Sequence, residues 1–184
     1  MPELIIVFWQ IFKSTWKIWV AIFIIALIPI LVEYFFIWFK KWLDKRWLEK
    51  HKYLVEWKKL DPKRFEQITA IIFEKLGYKT KVIGGPKDRG IDIIAAKEGK
   101  RHFIQCKRMD KVIPDDVRAF WGSIQKQIEK GKGEGGVFVT TGSFTEESKE
   151  FVKDKPIELI DGLKLEELVK EKGVNFIFNK KSKN

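Results

Sequence analysis

An α/β fold, a mixed sheet with helices on both faces and one membrane-spanning helix ahead of it, is the class this sequence predicts. Three observations carry that expectation. Residues 18–39, IWVAIFIIALIPILVEYFFIWF, hold a single charge, Glu33. From Asp61 onward, helical and extended patterns follow one another in the order αβββαβαβα, which layers a sheet between helices. One extended run, GGVFVTT (135–141), is apolar almost throughout, as a strand covered on both faces must be.

The apolar run comes first. At about 1.5 Å per helical residue it reaches roughly 33 Å, close to the ~30 Å of a hydrocarbon core. Trp16 and Trp19 stand at one end, and Tyr34 and Trp38 near the other, as an interfacial aromatic belt would. A cleaved signal peptide has a shorter apolar region and a small-residue cleavage site; here aromatics and lysines follow, so an uncleaved anchor is expected. A buried core helix is the alternative, but a domain this small can hardly enclose so many Trp and Phe side chains. Pro29 is expected to kink the helix, and Glu33 to lie toward the headgroups. LIIVFWQIF (4–12) is too short to span by itself and either extends the same tilted helix or lies in the interface.

Flanking charge sets the orientation. Lys13 and Lys17 precede the span, whereas Lys40, Lys41, Lys45, Arg46, Lys50 and Lys52 follow it. The positive-inside rule then predicts a single-pass protein with its C-terminal part in the cytoplasm. Lys40 to Leu60 is basic and interleaved with Trp42, Trp47 and Trp57, which reads as a helical neck along membrane lipid; nucleic acid is the second reading of that pattern. The expected organisation is an anchor (1–40), a neck (41–60), a folded domain (61–172) and a basic tail (173–184).

Within the folded domain, Asp61 and Pro62 suit the N-cap and first position of a helix that runs to about Leu76, with Phe65, Ile68, Ile72 and Leu76 at helical spacing. Tyr78–Ile83 alternates like a half-buried strand, and Gly84–Gly90 is a glycine-rich loop. Ile91–Ala96 and Arg101–Lys107 are strands joined by a hairpin turn at Lys97–Lys100. A helix from Pro114 to about Ile128 precedes the 135–141 strand. Ser143 with Glu146 suggests a capping box for a helix ending at Val152. A strand at Ile157–Ile160 and a helix at Leu163–Val169 close the order.

Composition narrows the function. The chain has 184 residues, with 36 Lys and Arg against 25 acids, a formal charge of +11, which favours polyanionic partners. Cys106 is the single cysteine, so no disulfide framework exists within the chain, and His51 and His102 fit no zinc pattern.

Strand alternation puts Gln105 and Lys107 on one side and Cys106 on the other. If the hairpin pairs as expected, Asp92 comes beside that end. A carboxylate and an amide oxygen are hard ligands suited to Mg²⁺, which polarises phosphate and acidifies bound water, and a lysine can stabilise developing negative charge. One carboxylate is too few for a Mg²⁺ site. Glu66, on the preceding helix and off its apolar stripe, is the candidate second acid.

The blocks GGPKDRGIDIIA, FIQCKR, DDVRAFWGSI, GGVFVTTGSFT and IELIDGLKLEEL resemble the Mrr-type restriction endonuclease catalytic domain, from about Pro62 to Val169. This is the branch of the PD-(D/E)xK nuclease superfamily with Gln-x-Lys in place of acid-x-Lys. The resemblance implies a restriction-endonuclease-like sheet, with Asp92 as principal metal ligand, Gln105 at the second active-site position and Lys107 as catalytic lysine. It matches Glu66 to the family's helical acid and Asp88 to a loop aspartate, and it also covers Thr140 and Thr141, for which the residues alone suggest no role.

The function expected is a membrane-anchored DNA endonuclease dependent on Mg²⁺, or on Mn²⁺ in its place, restricting foreign or modified DNA. Lys87, Arg89, Arg108 and Lys111 surround the loop and strand ends and are expected to attract the DNA backbone without reading sequence. No DNA-reading module such as a helix-turn-helix is visible, so specificity is expected from loops or partner subunits. Cutting both strands with one site per chain calls for a homodimer. The alternative is a catalytically silent nuclease fold that binds nucleic acid or a protein partner at the membrane.

Overall fold

The computed structural model describes residues 2–51, 53–83 and 90–170. The basic tail expected at 173–184 lies outside the described residues. The chain divides into two compact units between Arg46 and Trp47.

The first unit is helical. Helix α1 (Pro2–Lys50) is 49 residues long and runs on through Pro29, so residues 4–12 continue the same helix. Its most apolar window has a mean hydropathy of 2.7 and no buried residue. Ile25, Leu31 and Phe36 are each more than three-fifths exposed. A continuous apolar surface of this kind is foreign to a water-soluble monomer. The helix is long and apolar enough to cross a membrane.

The second unit opens with the last turn of α1 and a short helix α2 (Leu54–Trp57), followed by α3 (Pro62–Lys75). Its main sheet contains β1 (Lys79–Val82), β2 (Ile93–Lys97), β3 (Lys100–Lys107), β5 (Gly135–Thr140) and β7 (Ile157–Ile160), in that spatial order. The first three strands pair antiparallel, and β5 and β7 add in parallel, so the sheet is mixed as expected. Between β3 and β5 lie β4 (Lys111–Val112) and α4 (Pro114–Glu129); β6 (Ser143–Phe144) and α5 (Glu146–Val152) precede β7, and α6 (Gly162–Lys170) follows it.

Apolar residues on the two sides of the sheet form two cores. On one side α3 and α6 cover Ile93, Ile104, Val139 and Ile160. On the other, Val117, Phe120 and Ile124 of α4 cover Phe103 and Phe138. Every residue of β5 is buried, which is why its sequence is continuous and apolar instead of alternating.

Three expectations need correction. Leu48 and Trp57 are fully buried in the first core, and the Trp57 indole N–H donates to the His51 carbonyl at 2.9 Å. These two side chains therefore serve the second compact unit, which runs from Trp47. Ser143 does not cap α5: it lies in β6, and the Thr145 hydroxyl accepts the Ser148 N–H at 3.1 Å instead. The two-residue strands β4 and β6 pair with each other and were not anticipated, because a strand so short has no readable period.

Candidate active site

The hairpin of β2 and β3 builds the candidate site. Glu98 and Gly99 both take positive φ (53° and 80°) in its tight turn, and Ile93 lies opposite Ile104 at the far end. The pairing continues past the last strand residue. The Asp92 N–H donates to the Ile104 carbonyl at 2.9 Å, and the Ile83 N–H donates to the Asp92 carbonyl at 2.8 Å. Asp92 is thus held by its backbone from both sides, beside Gln105. Its carboxylate accepts the Cys106 N–H at 2.7 Å, between the two residues of the Gln-x-Lys motif.

Along β3 the side chains alternate as expected. Ile104 and Cys106 pack toward the first core and Phe103 toward the second, so Gln105 and Lys107 share the parity of Phe103. Gln105 is half-buried, and its Oε1 is a buried acceptor with no hydrogen-bond partner among the described residues. Its amide group rests on Gly90, where φ is 78° and an added Cβ would stand 3.1 Å from Nε2. Both the backbone angle and the close approach require glycine there.

Lys107 is half-buried and forms an ion pair with Asp116, in the first turn of α4. Glu66 is half-buried on α3, with Thr69 one turn further on. Burial pushes the Cys106 thiol well above its ordinary pKa; the charges of Asp92 and Glu66 add to the rise, and Thr69 opposes it. Glu66 and Asp92 therefore both lie within electrostatic reach of one sulfur.

Among the described residues no three His, Cys, Asp or Glu side chains form a ready metal cage. The candidate donors are two carboxylates and a carboxamide, all hard oxygens of the kind Mg²⁺ prefers. The buried Gln105 Oε1 is chemically compatible with a cation, since a buried acceptor is ordinarily satisfied by a hydrogen-bond donor or a bound ion.

Arg108 and Lys111 are exposed at the exit of β3 and in β4. Arg108 donates one guanidinium N–H to the Lys58 carbonyl at 2.7 Å, and the Lys58 ammonium pairs with Asp110 at 2.9 Å. That hydrogen bond, with the lysine's charge, holds the Asp110 carboxyl below its usual range. Lys87, Asp88 and Arg89 lie outside the described residues.

The segment after Lys107 is also pinned from β5. The fully buried Thr140 donates its hydroxyl to the Met109 carbonyl at 3.3 Å and accepts the Gly142 N–H at 3.2 Å. A Cβ on Gly142 would stand 2.1 Å from the Asp110 carbonyl oxygen. Thr140 and Gly142 therefore shape the backbone next to the candidate lysine.

The family model Mrr_cat, described as restriction endonuclease, matches residues 57–169, more than half of the chain. The chain belongs to this restriction endonuclease family. The match begins at Trp57, a residue the structure buries in the core. Within the family, the chain is 30% identical over 125 residues to the Type IV methyl-directed restriction enzyme EcoKMrr of Escherichia coli (strain K12). That alignment covers 62% of this chain and 40% of the relative, so the chain spans about two-fifths of the curated relative's length.

A solved structure agrees with the fold of this restriction endonuclease domain. The DNA modification-dependent restriction endonuclease AspBHI superposes with a TM-score of 0.51 at 18% identity, covering 68% of this chain and 34% of that one. The MspJI restriction endonuclease in complex with a 27-mer oligonucleotide gives 0.46 at 20% identity, covering 68% and 30%.

Sequence reading missed Asp116, Thr140's contact and Gly142. The run IPDDV signals an acid in the first turn of a helix, but nothing in it names a partner nine residues back.

Proposed function

We propose that this chain is a membrane-anchored DNA endonuclease that hydrolyses phosphodiester bonds with Mg²⁺, or Mn²⁺ in its place, and acts on foreign or modified DNA. The observation that carries the reading is the meeting of Asp92 with the Gln105-x-Lys107 motif. The Asp92 carboxylate accepts the N–H of the residue between them. Membership of the restriction endonuclease family supports the substrate and the reaction, and the methyl-directed relative supports modified DNA as the target.

Asp92, Gln105 and Glu66 would hold the metal, with Asp88 as an additional acid from the loop. When bound, the ion would supply Lewis acidity toward the phosphate and a bound water of lowered pKa. Asp92 is oriented by its backbone bonds and by the Cys106 N–H that its carboxylate accepts. Gln105 adds a neutral oxygen, which keeps the site's net negative charge low next to DNA. Lys107 sets an ammonium where charge develops on the phosphate. Arg108 and Lys111, with Lys87 and Arg89, draw in the DNA backbone.

The exposed apolar face of α1 supports an anchor spanning about residues 18–39, and the lysine excess after it supports a cytoplasmic C-terminal part. A homodimer would supply the second site for a double-strand cut. The deciding experiment is nicking of supercoiled plasmid by the full chain in detergent with Mg²⁺ or Mn²⁺. Cleavage lost in Asp92→Ala and Lys107→Ala supports the reading; variants that match wild type refute it. A reporter fused after Asn184 tests the orientation.

A further inference from the structure

We infer that Asp116 is the positioning residue for the Lys107 ammonium, an inference that rests on the endonuclease reading of Lys107. The two groups come from different elements, the end of β3 and the first turn of α4, and they meet as an ion pair. The Asp116 side chain is the more enclosed partner at 16% exposure, against 42% for Lys107. It is also fixed from a second direction. Its Oδ2 accepts the Ile113 N–H at 3.3 Å, and its own N–H donates to the Ile113 carbonyl at 3.2 Å.

One carboxylate oxygen is therefore anchored to the start of α4 while the other holds the lysine. A lysine side chain has four rotatable bonds and loses considerable entropy when localised. Tethering it to a rigid helix start places that loss in the folded state, before DNA binds. The helix is itself held to the sheet by Val117, Phe120 and Ile124. Among the described residues, Asp116 bonds to Lys107 and Ile113 and to no member of the proposed metal set, so its effect is on where the ammonium stands.

Asp116→Asn separates the two duties. The amide oxygen still accepts the Ile113 N–H, so the helix start is kept, while the charge that holds Lys107 is gone. Asp116→Glu restores the charge on a longer stem. The experiment measures plasmid cleavage and the mobility of the Lys107 ammonium, by ¹⁵N relaxation of its NH₃⁺ group, in the full chain in detergent. The expected result is a fall in kcat of roughly tenfold to a hundredfold in Asp116→Asn with KM little changed, a more mobile ammonium, and partial recovery of both in Asp116→Glu.

An Asp116→Asn protein that cleaves as fast as wild type or faster overturns the inference, as does an ammonium equally restrained in both. A wild type that does not cleave, or a Lys107→Ala variant that matches it, refutes the endonuclease reading and the role of Asp116 with it. Active wild type, inactive Lys107→Ala and unchanged Asp116→Asn removes Asp116 alone.

Discussion

The carboxylate of Asp92 and the backbone N–H of Cys106 are 2.7 Å apart and hydrogen-bonded across the mouth of the β2–β3 hairpin. This bond joins the acid on one strand end to the middle of the Gln-x-Lys motif on the other. It makes the acid part of the sheet's own framework.

Asp92→Asn should therefore separate structure from chemistry. The amide oxygen can still accept the Cys106 N–H, so the melting temperature should stay close to wild type. Cleavage should fall by about a hundredfold or more, the scale of losing a principal charged group at a reacting centre. Plasmid nicking beside thermal melting measures both; a fully active variant would remove Asp92 from the site.

Gly142→Ala should disturb the same centre from outside it. The new Cβ would stand 2.1 Å from the Asp110 carbonyl oxygen and 2.3 Å from that of Met109, so the backbone after Lys107 must move. A loss of about 1–3 kcal/mol in stability is expected, the usual scale of overpacking, together with reduced cleavage. Urea unfolding of the variant checks the first part, and an unchanged midpoint would show that the loop yields freely.

Trp57→Ala should cost about 3–5 kcal/mol, as for other buried tryptophans cut to alanine. Trp57 is completely buried and its indole N–H is bonded to His51. A side chain lying along lipid headgroups would instead leave the unfolding of the folded unit nearly untouched. Denaturation of the full chain in detergent, followed by far-UV circular dichroism, distinguishes these outcomes.

His102 predicts an acid-sensitive fold. Burial holds its imidazole neutral and lowers its pKa from 6.5 to about 4, against the pull of nearby Glu134. The unfolded chain takes up this proton below about pH 6.5, whereas the folded chain does so only near pH 4. Stability should thus be full above pH 6.5 and decline as pH falls toward 4, by at most about 3 kcal/mol before solvent screening is allowed for. His102→Gln should flatten that part of the urea-midpoint curve; an unchanged slope would assign it to other groups.

Much of this domain is legible in its residues. The alternation of β3 separates Gln105 and Lys107 from Cys106 because side chains on a strand change face at every step, whatever the rest of the chain does. Asp61 with Pro62 marks the start of α3, and the Asp61 side chain does accept the Arg64 N–H at 3.0 Å, because a cap is satisfied within one turn. Trp57 was not legible: a basic segment carrying tryptophans suits a lipid surface and a protein core equally well, and only the presence of α3 and α6 beside it decides. Ser143 failed as a cap because the pairing of β6 with β4, 32 positions earlier, claimed its backbone.

By itself the sequence determined what local periodicity and composition can carry. These are an apolar helix long enough for a bilayer, the order of strands and helices, and three polar residues placed at two strand ends. Only the tertiary structure decided which groups those residues meet. Lys107 faces Asp116, Thr140 holds Met109, and Trp57 turns inward. The physical reason is range. Capping and alternation act over a few residues and are written in order along the chain, whereas an ion pair between a strand and the next helix exists only once both have packed on the same sheet.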